Sequence, residues 1–215
     1  MPKDNIDPAT LIRMFRAAAA QIRANVDVLG KHDSVGGDGD HGITMAKAMG
    51  NMEKAIDASK NADLKTLLNN IAWGVMGTDG GATGPLFGSF FLGMVAPATG
   101  KKTLDAKTLA AMFEGGLTTI QKSSKAKTGD KTMLDALIPA VQSMKKAAEG
   151  EADVIGSLKQ AAEAAVAGAE ETKKMVARFG RAKSIGEKSL GSPDAGAVSV
   201  SLIFRGFVEG AEANA

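Results

Sequence analysis

Eight stretches of this chain place apolar residues three and four apart, and glycine or aspartate stands at most of the junctions between them. That spacing marks a helix with one buried face, and eight such faces in 215 residues satisfy one another by packing helix on helix. Asp7 as N-cap and Pro8 as first helical residue open the first stretch, through Leu11, Phe15, Ala18, Ile22 and Val26, with an end near Gly30. Met45, Met49, Met52 and Ile56 make the second; Leu64, Leu67, Leu68, Ile71 and Val75 the third. Gly84 and Pro85 open a fourth through Phe87 and Phe91, Leu109, Phe113, Leu117 and Ile120 form a fifth, and Leu134, Leu137, Ile138, Val141 and Met144 a sixth. The alanine-rich stretch from Val154 to Phe179 reads as a long seventh helix, and Ala197, Val200, Phe204, Phe207 and Ala211 as the eighth. Val198, Val200 and Leu202 also alternate as a strand would, but no partner strand is evident and a lone strand is unstable. The expected fold is all-α: an eight-helix antiparallel bundle or barrel, one domain over residues 1–215, with its functional loops at one end. The methionine stripe is read as adaptable core.

Composition removes several function classes. Lysine and arginine number 26 against 24 aspartates and glutamates, so no overall charge draws the chain to nucleic acid or an anionic membrane. There is no cysteine and there are two histidines, which sets thiolate sites aside and leaves a metal to oxygen ligands. No apolar run approaches the roughly 20 residues that span a bilayer, and the polar N-terminus has no signal-peptide pattern, so a cytoplasmic location is expected.

Residues 33 to 42, Asp-Ser-Val-Gly-Gly-Asp-Gly-Asp-His-Gly, put Asp33, Asp38 and Asp40 within eight positions just before a helix. Three close carboxylates repel unless a cation joins them, and magnesium binds through a few carboxylates together with nucleotide phosphates. Read alone, Asp-Gly pairs are also ordinary turn formers and Asp40 a plain helix cap. A calcium EF-hand loop counted from Asp38 fails, because Met49 falls where the bidentate glutamate is needed. His41 either fixes the loop's geometry or touches a phosphate.

Residues 77 to 85, Gly-Thr-Asp-Gly-Gly-Ala-Thr-Gly-Pro, lie between two helices without a Walker lysine. Backbone amides at a helix start attract anions, and Thr78 and Thr83 add hydroxyls, although a glycine-rich turn reads the same way in isolation. An anion-seeking loop and a cation-seeking loop in one small domain are together the two halves of a magnesium–diphosphate site. Gly129-Asp130-Lys131-Thr132-Met133 caps a helix or contacts a base or sugar, and Arg181, in Gly180-Arg181-Ala182, is a surface arginine or neutralises a transferring phosphoryl group.

Taken together, the Asp33…Gly37-Asp38-Gly39-Asp40-His41-Gly42 loop, Gly80-Gly81-Ala82-Thr83-Gly84-Pro85-Leu86-Phe87-Gly88, Gly129-Asp130-Lys131-Thr132-Met133, and Gly180-Arg181-Ala182 followed by Gly186-Glu187-Lys188-Ser189 and Asp194 resemble the L subunit of dihydroxyacetone kinase. The resemblance covers most of the chain. It implies an eight-helix barrel with an adenine nucleotide, ADP or ATP, at one end. It further implies two magnesium ions on Asp33, Asp38 and Asp40, phosphates cradled by Gly81, Ala82 and Thr83, adenosine beside Thr132 and Met133, and Arg181 near the phosphates. His41, Thr44, Thr78, Gly129 and Asp194 join the expected nucleotide contacts. Thr44 stands where the family commonly has asparagine, Thr83 replaces a frequent serine, and Lys183-Ser184 replaces a serine and an aromatic residue. The implied partners are a K subunit, which holds a small ketose covalently on a histidine, and, in the phosphotransferase-system version, a phosphohistidine donor (M subunit) that recharges bound ADP. The chain's length favours the multi-subunit system. The alternatives are an ATP-exchanging tetrulose kinase subunit and an ADP-loaded module that binds a sensor or transcription factor.

Overall fold

Asp7 lies in extended backbone and its carboxylate accepts the Thr10 amide, so Pro8 starts α1 (Pro8–Ala24) as expected. In the computed structural model, which describes residues 3–213, this helix does not run on to Gly30. Asn25 interrupts it: the side-chain amide donates to the Gln21 carbonyl at 2.8 Å, and the backbone leaves the helical region. A second helix, α2 (Val26–Asp33), restarts at once with Gly30 in its interior. Asp33 is therefore fixed at a helix end instead of riding on the loop.

The chain continues through α3 (His41–Ala58), α4 (Leu64–Met76), α5 (Thr83–Gly93), a short α6 (Val95–Ala98), α7 (Ala106–Ser123), α8 (Leu134–Glu149), α9 (Val154–Glu171) and α10 (Ala195–Glu212). The expected helix from Val154 to Phe179 stops eight residues early. Thr172, fully buried, turns its hydroxyl onto the Ala169 carbonyl at 2.5 Å, and a 3-10 turn (Thr172–Lys174) leads the chain away. Alanine content favoured helix here, and a buried side-chain bond overrides it. Residues Arg181–Ser189 form further 3-10 turns around Gly186, a feature absent from the periodicity reading. Val198 to Leu202 is helix, as expected; the described residues also include a two-residue antiparallel ladder of β1 (Asn5–Ile6) with β2 (Leu104–Asp105).

The eight long helices close a ring. α1 packs on α3, then α4, α5, α7, α8, α9 and α10 follow in turn, and α10 returns to α1. Gly206 lets that closure happen: a Cβ there would overlap the Ala18 backbone and lie 2.7 Å from the Ala17 carbonyl carbon. Met45, Met49 and Met52 are fully buried. Phe15 stands edge-on to Phe91 and Phe207 at 5.5 and 5.6 Å, and Phe113 meets Phe204 and Phe207 in the same centre.

Ring neighbours run antiparallel, so every second connection falls at one end: residues 34–40, 77–82, 124–133 and 172–194. These are the segments that carry the sequence motifs. At the opposite end the helices start conventionally, with Asp63, Asp105 and Asp153 joining Asp7 as side-chain caps of α4, α7 and α9. Asp153 has two tasks, since one oxygen accepts the Gly156 amide at 2.7 Å and the other accepts the Lys3 amide at 2.6 Å. Asp153→Ala loses the cap and the N-terminal tether together, an expected cost of about 1–2 kcal/mol and a fall of about 2–8 °C in the calorimetric midpoint.

Candidate functional site

The four connections at that end enclose a cleft of about 650 Å³. On one side the 34–40 loop folds back so that Gly37 donates to the Asp33 carbonyl at 2.6 Å, which returns the chain toward the helix end it has just left. Asp33, Asp38 and Asp40 then bring one carboxylate oxygen each within 4.8 Å of one another, Asp33 half-buried and the other two exposed. Asp40 occupies the cap position of α3, yet its side chain makes no capping bond, so the plain-cap reading does not hold and the carboxylate is free for another task. Arg181 reaches across to an ion pair with Asp38. Desolvation pushes the Asp38 carboxyl up, but the hydrogen bond and charge of the guanidinium, with the loop's own bonds, together hold it below its ordinary range.

Facing the triad, Gly80, Gly81, Ala82 and Thr83 line the cleft at the start of α5, whose cap residue Ala82 offers no side-chain acceptor. The first amides of that helix have no side-chain partner and point their partial positive charge into the cleft. Thr44 and Thr78, expected as nucleotide contacts, do not line it. Both are buried behind the loop, with Thr44 against Gly80 and the Thr78 hydroxyl accepting from the Asn51 amide at 3.1 Å, so they support the glycine turn from below.

The third wall comes from residues 123–134. Thr132 and Met133 line the cleft together with the apolar Leu86, Phe87 and Ile120. Gly129 is not part of the lining: its amide donates to Asp135 at 2.5 Å, and the Thr132 amide donates to the same carboxylate at 2.8 Å. Asp135, 3% exposed, is thus the internal anchor of this loop. Nothing in the periodicity marked it apart from an acidic residue in a helix's first turn.

His41 lines the cleft and bonds through Nε2 to the Ser199 hydroxyl of α10 at 2.8 Å, so it braces the loop against the barrel. Burial lowers its pKa against the pull of Asp33 and Asp40. Ser199 gave no signal in the sequence, being a small polar residue among apolar ones. Asp194 also lines the cleft while its carboxylate caps α10 through the Ala197 amide at 2.7 Å. Burial pushes its carboxyl up to about 6, against the Ala197 amide, and Asp135 adds to the rise. The folded pKa exceeds the unfolded one, so Asp194 contributes stability below the unfolded pKa and loses it as pH rises through about 6. Asp194→Asn keeps a capping oxygen without the charge. Its stability relative to the parent is expected to rise as pH goes from about 4 to 7, by up to about 3 kcal/mol, when the two proteins are melted across that range.

Fold and site define an all-helical barrel whose loops gather an acidic triad opposite glycine amides at one end. The chain belongs to the DAK2 domain family, whose model matches residues 35–209. It is 33% identical over 198 residues to a protein of Listeria innocua described as the ADP-binding subunit DhaL of PEP-dependent dihydroxyacetone kinase 1, covering 92% of this chain and 94% of that one. The corresponding ADP-binding subunit of Escherichia coli is 34% identical over 169 residues, 79% of this chain and 80% of that one. Among solved structures, the dihydroxyacetone kinase of C. freundii in complex with AMP-PNP and Mg2+ superposes with a TM-score of 0.73 at 25% identity, over 97% of this chain and 34% of that enzyme. The present chain therefore spans about a third of that kinase's length.

Proposed function

We propose that this chain is the nucleotide-binding phosphoryl-transfer subunit of a dihydroxyacetone, or similar small-ketose, kinase, acting as one domain over its whole length. The observation that carries the proposal is the convergence of three carboxylates in the same cleft as the uncapped start of α5. Asp194 caps α10 at this end and Asp33 accepts the His41 amide of α3 at 3.4 Å, whereas neither Asp40 at α3 nor Ala82 at α5 makes a capping bond. An anion held by amides and a hard cation held by carboxylates are complementary halves of a metal–phosphate group. The relatives that match over most of their length are described as ADP-binding subunits, and a solved relative carries AMP-PNP and Mg2+.

The donor set suits magnesium: oxygen ligands only, exposed enough to leave room for water and phosphate oxygens, with the Asp40 side chain making no capping bond to α3. Asp33, Asp38 and Asp40 would hold two such ions, which when bound supply positive charge to the phosphate oxygens. Gly81, Ala82 and Thr83 orient the phosphates through backbone amides and the Thr83 hydroxyl, Thr132 and Met133 receive the adenosine, and Arg181 is placed to neutralise charge on the transferring group. Asp194 and His41 keep two walls in register. Phosphoryl transfer asks mainly for alignment and charge compensation.

The ketose is then held by a separate K subunit, with bound ADP recharged in place by a phosphohistidine protein, in keeping with the PEP-dependent relatives. No helix among the described residues is long and apolar enough to cross a membrane. Combining the chain with a dihydroxyacetone-loaded K subunit and a phosphohistidine donor, with ADP equal to the chain, tests the proposal. Many turnovers of dihydroxyacetone phosphate per ADP are expected. Turnover only with excess ATP would favour the exchanging kinase, and stable binding of the K subunit without transfer would favour the regulatory module.

A further inference from the structure

Lys131 occupies an unusual place for a lysine. It is 5% exposed and lines the cleft, and its backbone lies in the left-handed region at φ 59°, where a side chain costs about 1 kcal/mol or more. Burial also opposes its charge, with Asp194 nearby in partial compensation. Its ammonium donates to the Thr172 carbonyl at 2.7 Å and to the Ser192 carbonyl at 2.6 Å.

Those two carbonyls stand at the two feet of one excursion. The Asp194 amide donates to the Thr172 hydroxyl at 2.9 Å, and the Gly191 amide to the Lys173 carbonyl at 2.8 Å, so the chain leaving α9 and the chain entering α10 are joined there. Between the feet, residues 174–190 carry Phe179, Arg181 and Ile185 onto the cleft wall. The tip abuts the acidic loop so closely that a Cβ at Gly36 would lie 2.7 Å from that of Ala182. Lys131 is itself held rigid by the Asp135 anchor on either side, at Gly129 and Thr132.

We propose that Lys131 is a positioning residue for phosphoryl transfer: its ammonium ties the two feet of the 174–190 excursion and thereby sets Arg181 over the acidic end of the cleft. This rests on the nucleotide reading of the site. A clamp with no function would be better built from apolar residues, since burying a lysine in a left-handed turn carries a double cost. The chain carries that cost at a point where one side chain bonds to both feet.

Lys131→Met removes the ammonium at nearly constant length, and Lys131→Gly removes it while relaxing the backbone, so a folding failure of the first leaves the second to report. Hydrogen exchange in residues 174–190 is expected to accelerate about tenfold or more in the variant, with α3 to α5 unchanged. Arg181→Ala is expected to weaken Mg-ADP binding about tenfold in the parent and less than about twofold in the Lys131 variant, because the arginine is already misplaced. Equal losses from Arg181→Ala in both backgrounds, or unchanged exchange in the excursion, would overturn the proposal. A parent chain that binds no Mg-ADP at any magnesium concentration would instead remove the nucleotide reading, and the exchange measurement alone would then decide whether Lys131 is the clamp.

Discussion

Asp40→Ala is expected to abolish magnesium-dependent nucleotide binding while leaving the barrel as stable as before. The carboxylate is exposed and makes no capping bond to α3, so its loss removes no internal contact, and it relieves repulsion from Asp33 and Asp38. Without nucleotide the melting midpoint should stay within about 2 °C of the parent, as for an ordinary surface substitution. With Mg-ADP at a hundred times the parent's dissociation constant, binding stabilises the parent by about 2.7 kcal/mol, or about 5–10 °C. That shift should vanish in Asp40→Ala, for an affinity loss of more than about 100-fold, in line with removal of a direct ligand. Asp38→Ala should behave similarly in binding, with Arg181 also released from its ion pair. A parent-like ligand shift in Asp40→Ala would show that the triad does not hold the metal.

Gly42→Ala is expected to damage fold and site together. Gly42 lies in the first turn of α3 against α2, where a new Cβ would overlap the Val26 carbonyl oxygen and stand 2.9 Å from its carbon. Both partners are backbone, so no side chain can swing aside, and the helices must separate. Separation moves Asp33, at the end of α2, away from Asp40, at the start of α3. The expected cost is about 3 kcal/mol, a fall of about 6–12 °C in melting midpoint, with loss of the Mg-ADP shift. Gly50→Ala is the matched control in the same helix, because nothing lies within 4 Å of its added Cβ, and it should be neutral or stabilising by up to about 1 kcal/mol. Equal midpoints for the two variants in a single thermal scan would contradict this account of the α2–α3 contact.

The helices were legible because their signal is local: periodicity and caps such as Asp7-Pro8 need no knowledge of neighbours. Misreadings occurred where a side-chain bond to the backbone overrode the apolar periodicity. Asn25 breaks α1 through its own side chain, and at the end of α9 the buried Thr172 hydroxyl is held by the amide of Asp194, 22 residues away in sequence. Among the candidate residues, Asp33, Asp38, Asp40, Gly81, Ala82, Thr83, Thr132, Met133, Arg181, Asp194 and His41 all line one cleft, since the up-and-down ring returns every second connection to the same end. Thr44, Thr78 and Gly129 stand behind that surface. They sit one helix turn or two loop positions away from lining residues, and sequence spacing does not say which side of a loop a side chain faces. Asp135 and Ser199 were missed because their partners come from loop geometry and from another helix, neither of which leaves a pattern in the chain.

The central claim is that the cleft holds an adenine nucleotide through magnesium on the acidic triad. The purified chain, dialysed extensively against magnesium buffer and then denatured, should release ADP near one equivalent by chromatography, with about two magnesium ions per chain by elemental analysis. A chain that releases no nucleotide and binds neither ADP nor ATP at any magnesium concentration would contradict the account.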